Sequence, residues 1–132
     1  MPGISEEILP AGSQTINITT DYGVQEVANV SLNSLANGGS STSLVYDNIS
    51  GATNAKVVLI IQKVTPTGTP NIRIDNGTSY YQLSVDTSAS AKRVEFNDIP
   101  ASFLASFTII NNLGVAFPAS GNTCTIYPVW KT

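Results

Sequence analysis

The sequence predicts an all-β domain, a jelly-roll or related Greek-key β-sandwich preceded by an N-terminal arm. Three observations lead there. Apolar and polar residues alternate in short runs from Thr15 onward, the pattern of strands buried on one face. The runs are separated by clusters of Gly, Pro, Asn and Ser, which accept turn dihedrals. A chain of 132 residues, 42% of them hydrophobic, is also long enough to bury one core of its own.

Residues 1–14 differ in texture and are read as the arm. Pro2, Gly3, Pro10 and Gly12 interrupt a short apolar and acidic piece that holds Ile4, Glu6, Glu7, Ile8 and Leu9. A helical turn that short is unstable alone, and the prolines bar the segment from a central strand. Ile4, Ile8 and Leu9 are too apolar for a solvated tail, so the arm is expected to cover a neighbouring subunit or partner.

The sandwich domain, 15–132, holds nine expected strands: 15–20, 24–32, 43–46, 56–64, 71–74, 80–85, 92–96, 106–110 and 123–130. Val57-Val58-Leu59-Ile60-Ile61 is continuously apolar, which predicts a central strand buried on both faces, or on one face with a subunit contact on the other. Asp75-Asn76-Gly77-Thr78 is the strongest hairpin signal, because Asn-Gly supplies the positive φ of a tight turn. Irregular loops between strands of five to nine residues favour a jelly roll over a regular meander. Nothing after the arm reads as helix.

Composition then narrows function. Only 11% of residues are charged, against roughly 25% in typical soluble domains. A surface made instead of Ser, Thr, Asn and Gly is hydrated but weakly repulsive between copies, which suits packing against neighbours. The net charge is −3, and the basic residues are scattered apart from Lys92-Arg93. This argues against a nucleic-acid partner. No run reaches the ~20 apolar residues of a membrane span, and the first thirty residues hold no signal-like apolar run. The expectation is a soluble chain made in a cytoplasm.

The sequence contains no histidine. That removes the usual general base near neutral pH, the Ser-His-Asp arrangement and the commonest zinc ligand. The single Cys124 lies in an alternating segment and reads as a small core residue. A glycosidase needs only two carboxylates, but Asp21, Glu26, Asp47, Asp75, Asp86, Glu95 and Asp98 fall at turns and strand ends, as solvated carboxylates do. Asp47-Asn48 and Asp75-Asn76-Gly77 offer oxygens to calcium without EF-hand spacing, and Asx turns explain both. No catalytic residue, metal or cofactor is therefore assigned.

Among the ten aromatic residues, Tyr80-Tyr81 beside the Asn76-Gly77 turn suggests a sugar platform. Adjacent strand residues point to opposite faces, however, so one tyrosine is expected in the core and the other at a rim or interface. Phe96, Phe103, Phe107, Phe117, Tyr127 and Trp130 are expected to form the aromatic core and one apolar contact surface. Tyr80, Tyr81 and Trp130 join Ile4, Ile8 and Leu9 as the interaction candidates.

Two segments carry a resemblance: Val30-Ser-Leu-Asn-Ser-Leu-Ala-Asn-Gly-Gly-Ser-Ser-Thr-Ser-Leu-Val-Tyr-Asp-Asn48 and Pro100-Ala-Ser-Phe-Leu-Ala-Ser-Phe-Thr-Ile-Ile-Asn-Asn-Leu-Gly-Val-Ala-Phe-Pro-Ala-Ser-Gly-Asn-Thr-Cys-Thr-Ile-Tyr-Pro-Val129. Over about residues 28 to 130 the chain resembles the small decoration, or cement, proteins of tailed-bacteriophage heads. The resemblance implies a jelly-roll virion structural protein on the capsid surface. Its partner there would be the major capsid protein, and it would bridge capsomers as a homo-oligomer, a dimer or trimer. It brings no catalytic residues, and the leading arm and compact middle depart from the pattern. The alternative expectation is a carbohydrate-binding or receptor-binding module of a tail or fibre; a small glycan hydrolase ranks third.

Overall fold

The computed structural model describes residues 16–18, 23–27, 31–48 and 50–130, and the expected arm, with Ile4, Ile8 and Leu9, lies outside the described residues. The fold is all-β, with two antiparallel sheets. Eight strands are described: β1 (Ile16–Ile18), β2 (Gln25–Val27), β3 (Asn54–Val64), β4 (Asn71–Asp75), β5 (Tyr80–Ser84), β6 (Ser90–Pro100), β7 (Thr108–Asn112) and β8 (Thr123–Val129). The larger sheet has the order β1-β2-β8-β3-β6 and the smaller one β5-β4-β7.

Period-two alternation sets the core. In β3, Ala55, Val57, Leu59 and Ile61 point inward, opposite Phe96 and Val94 of β6 and Ile126 and Cys124 of β8. The smaller sheet answers with Ile72 and Ile74 of β4 and Ile109 of β7. Phe103, Leu104 and Phe107 close one end, and Phe117 and Leu113 belong to the same core. Each Val, Leu, Ile or Phe among them contributes roughly 1.5–3 kcal/mol when fully buried, so the two apolar faces hold the sheets together.

The run Val57–Ile61 is central, as expected. Val58 is buried although it sits on the outer face, where Glu95 and Thr125 lie opposite it on the neighbouring strands. Ile60, also on that face, is half-buried.

Several expectations change. The expected strand 43–46 is part of an irregular segment that is bridged to β7 at Ser40 with Ile110 and to the residue before β7 at Leu44 with Phe107. Within the expected strand 24–32, Gln25–Val27 form β2 and Leu32 falls in a turn, while residues 28–30 lie outside the described residues. β6 runs well beyond 92–96 because a bulge lets it continue: Asn97 and Asp98 take the place of one residue opposite Lys56, with Asp98 at φ 62°. A short 3-10 turn, Phe103–Ala105, interrupts the all-β reading.

The hairpin falls where the Asn-Gly signal put it. Gly77 takes φ 90°, Asp75 Oδ1 accepts from Gly77 N at 2.6 Å, and Asn76 Oδ1 accepts from Thr78 N and Ser79 N. Both side chains are thus engaged in shaping the turn.

Candidate interaction surface

Four surface regions hold the side chains that carry chemistry. The first is the outer face of the smaller sheet. Register places Asn71, Arg73 and Asp75 of β4 on that face with Ser84, Gln82 and Tyr80 of β5 opposite them. Arg73 lies 3.8 Å above the centroid of the Tyr80 ring, and its Nη2 and Nε donate to Gln82 Oε1 at 2.9 and 3.3 Å. Such stacking fixes both groups and fills one face of the ring. Tyr80 remains 53% exposed.

The second region is the inner side of β5. Tyr81 and Leu83 point toward the core side, yet each keeps 37% exposure. Tyr81 meets Phe103 edge-on at 4.9 Å between centroids. Neither tyrosine is a core residue, which corrects the expectation for the pair. The reason is topological: β5 is the last strand of its sheet, and a cleft of about 300 Å³, bordered by Phe96 and Ile99, separates it from β6.

The third region is the loop between β5 and β6. Lys92 lies on the inward face of β6 with Val94 and Phe96, and only 4% of it is exposed. Its Nζ donates to Asp86 Oδ1 at 2.6 Å, Ser88 O at 2.5 Å, Ser90 Oγ at 3.0 Å and Ser88 Oγ at 3.2 Å. A buried ammonium is tolerated when its donors are met in this way. The Lys92 hydrogen bond, helped by those from Ser88, holds the Asp86 carboxyl down to about 2. Lys92-Arg93 is therefore no basic patch, since the two point to opposite faces. The alternation with Val94 and Phe96 was the signal for this burial.

The fourth region is the end of β8. Tyr127 and Val129 project from the outer face of the larger sheet, and Trp130 follows at 57% exposure. Lys56 lies 5.4 Å from the Tyr127 ring centroid and 3.8 Å from Glu95, which pairs with Arg93 at 2.7 Å. The Arg93 guanidinium keeps Glu95 below its usual carboxylate range. Tyr127 and Val129 thus share the outer face with the linked charges of Lys56, Glu95 and Arg93.

The candidates Tyr80, Tyr81 and Trp130 are thus in three places. β5 begins, and β8 finishes, at the same end of the sandwich, but in different sheets. The four phenylalanines are buried, while Tyr127 and Trp130 lie on the surface. Cys124 is wholly buried, which pushes its thiol up to about 12. Among the described residues, no three His, Cys, Asp or Glu side chains cluster to hold a metal, and no helix is long and apolar enough to cross a membrane.

Sequence reasoning missed two buried asparagines that organise the opposite end. Asn111 Nδ2 donates to Leu35 O and Val115 O, both at 2.9 Å, while its Oδ1 accepts from Leu113 N at 2.8 Å. Asn122 Nδ2 donates to Asn33 Oδ1 and Pro118 O, and its Oδ1 accepts from Gln62 N. Gln25, equally buried, pairs through both side-chain atoms with the backbone of Asp47. These amides fix loops, leaving the exposed aromatic and edge regions as the surface available to a partner. No family model, no curated protein and no solved structure matches this chain.

Proposed function

We propose that the chain is a virion structural protein, a decoration or cement subunit that binds the outer surface of a tailed-phage head and stabilises contacts between capsomers. The observation that carries this reading is the outer face of β8, where the exposed Tyr127 and Val129 stand beside the Lys56, Glu95 and Arg93 ion pairs, with Trp130 exposed just past the strand end. That is the composition of a protein-binding surface, in which a few aromatic anchors supply most of the energy.

Two further features support it. The segments that carry the family resemblance lie side by side, since residues 38–46 run along β7 and Asn33 bonds Asn122. Counting the bridged segment 40–44 as a fourth strand of the smaller sheet, we read the orders β2-β8-β3-β6 and segment-β7-β4-β5 as those of a jelly roll. In this reading the major capsid protein is the partner, the chain carries no catalysis, and the protein is made in the host cytoplasm.

Quantitative mass spectrometry of purified particles tests the proposal. A stoichiometry comparable with that of the major shell protein is expected; a handful of copies per particle indicates a tail component and overturns it. On isolated heads, Trp130→Ala should weaken binding by about 2 kcal/mol or more, the scale of an anchor residue, while leaving thermal unfolding nearly unchanged. Binding should survive about 1 M NaCl, where the Debye length is roughly 3 Å.

A glycan-binding module of a tail or fibre is the second reading, favoured by Tyr80 standing beside Arg73 and Gln82 on one open face. Glycan-array binding abolished by Tyr80→Ala would support it over the first.

A further inference from the structure

We infer that β5 is a dimerisation strand, which pairs antiparallel with β5 of a second copy about a two-fold axis at Gln82 and joins two smaller sheets into one. The inference stands on the chemistry of this edge alone, whatever larger surface the protein decorates.

The first argument is the direction of the free backbone groups. Val85 N donates to Pro70 O and Asn76 N donates to Ser79 O, at either end of the β4–β5 ladder. In the register that pairs Ile72 with Leu83 and Ile74 with Tyr81, these bonds fall on odd-numbered residues of β5. Antiparallel ladders alternate, so Tyr80, Gln82 and Ser84 turn their N–H and C=O away from β4. Among the described residues, no strand lies on that side.

The second argument is the lack of any guard. An open strand edge invites pairing, and proteins blunt it with charge, proline or bulges. β6, the outermost strand of the other sheet on the same flank, has all of these: Lys92, Arg93, Glu95, Asp98, a terminal Pro100 and two register shifts. β5 is Tyr-Tyr-Gln-Leu-Ser, with unbroken register, no charge, no proline and all five residues exposed.

The third argument selects the partner. An antiparallel strand pair is two-fold symmetric, so a strand that pairs with its own copy must be complementary to its own reverse. With the axis at Gln82, the outward-facing backbone groups meet as hydrogen-bonded residue pairs: Gln82 with Gln82, and Tyr80 with Ser84 at either end. On the inner side Tyr81 then lies opposite Leu83 of the second copy, and Leu83 opposite Tyr81. Aromatic and aliphatic pairs of this kind stabilise a sheet, and they cover the two apolar side chains that the isolated subunit leaves half open. On the outer side the Gln82 amides meet between the two Arg73 side chains, which stay about three strand spacings, roughly 14 Å, apart.

Cross-linking and sedimentation of the full chain test this. In an antiparallel pair centred on residue 82, the two Cα atoms lie about 5.5 Å apart, within the roughly 4.4–6.8 Å that a disulfide spans. Residues 84 of the two copies are about four residues apart along the strand, roughly 14 Å. Gln82→Cys should therefore form a disulfide-linked dimer under mild oxidation and Ser84→Cys should not; the buried native Cys124 does not compete. In sedimentation velocity the wild-type chain should show a monomer–dimer equilibrium that shifts with concentration. Gln82→Pro, which deletes an outward N–H that β4 does not use, and Leu83→Lys should both leave a monomer with an unchanged far-ultraviolet spectrum. A wild type that is monomeric at every concentration, a trimer, a dimer that survives both substitutions, or cross-linking at residue 84 in preference to 82 overturns the proposal. A monomer would mean that β5 is left for a different chain or unpaired. None of these outcomes bears on whether the protein is found on phage heads. Should either substitution prevent folding, the cross-linking pair decides alone.

Discussion

Along β7 the smaller sheet is closed by chain that is not a regular strand, and along β5 it is left open. Residues 38–46 bond to the β7 flank through Gly38 N to Asn111 O, Ser41 N to Ile109 O, Leu44 N to Phe107 O and Tyr46 N to Leu104 O. Asn111 N and Phe107 N return bonds to Gly39 O and Leu44 O. Ser41 Oγ takes Ile109 N as well. Closing an edge therefore requires donors and acceptors at the right places, and irregular Ser- and Gly-rich chain supplies them as well as a strand does. β5 is the more regular of the two flanks and the less protected, so regularity and protection are separate properties.

The largest effect should come from removing the amide that anchors the closed flank. Asn111→Ala leaves Val115 O and the buried Leu113 N without this partner, while Leu35 O keeps its bond from Phe117 N, at about 1–3 kcal/mol for each group left unsatisfied. A loss of roughly 2 kcal/mol or more in urea unfolding is expected. A change under about 1 kcal/mol would show that water substitutes easily, and that the closed flank is less distinct from the open one than its bonding indicates.

Gly114→Ala comes next. Gly114 has φ 83°, and an added Cβ would lie 2.1 Å from Thr67 Oγ1 and 2.9 Å from Thr67 O. Thr67 N is itself fixed by Leu113 O at 2.9 Å. Strain and collision together should cost about 1–3 kcal/mol, read as a lower urea midpoint at constant slope.

The smallest effect belongs to the open side. Asp86 titrates at about 2 in the folded chain, below its ordinary 3.8. Its contribution to stability is complete above the ordinary value and is lost as pH falls from 3.8 toward 2. The melting temperature should decline over that window, and Asp86→Asn should flatten this part of the profile. Because Asp86 is exposed, a shallow slope is expected; no difference between the variant and the wild type would mean that the Ser88 and Ser90 oxygens hold Lys92 by themselves.

What could be read in advance follows the same division. Alternation located strands at 71–74 and 92–96, the apolar run located β3, and Asn76-Gly77 located the hairpin, because each is a local pattern with a local cause. The role of residues 38–46 was not legible: Ser, Thr and Gly there read as a weak strand at 43–46, and only the neighbouring β7 decides which amides find partners. Asn111 fell just past the expected strand 106–110, and Asn122 read as a turn residue. Composition cannot tell an Asn that caps its own loop from one that turns inward to tie several loops. For the interaction residues, alternation split Tyr80 from Tyr81 correctly. It missed that Tyr81 stays half open, since edge position depends on strand order. Trp130 groups with the phenylalanines in the sequence, and nothing in its spacing foretells that it stands exposed while they are buried.

Cys124 gives the molecule a built-in clock. It is the only thiol in the chain, wholly enclosed between the two sheets, so an alkylating reagent can reach it only when the sandwich opens. Where reclosing outruns alkylation, the labelling rate divided by that of a free thiol gives the population of opened molecules under native conditions. The same unlabelled, uncut chain can then be timed free or bound, and any partner that clamps the sandwich should slow the clock in proportion to how much it restrains opening.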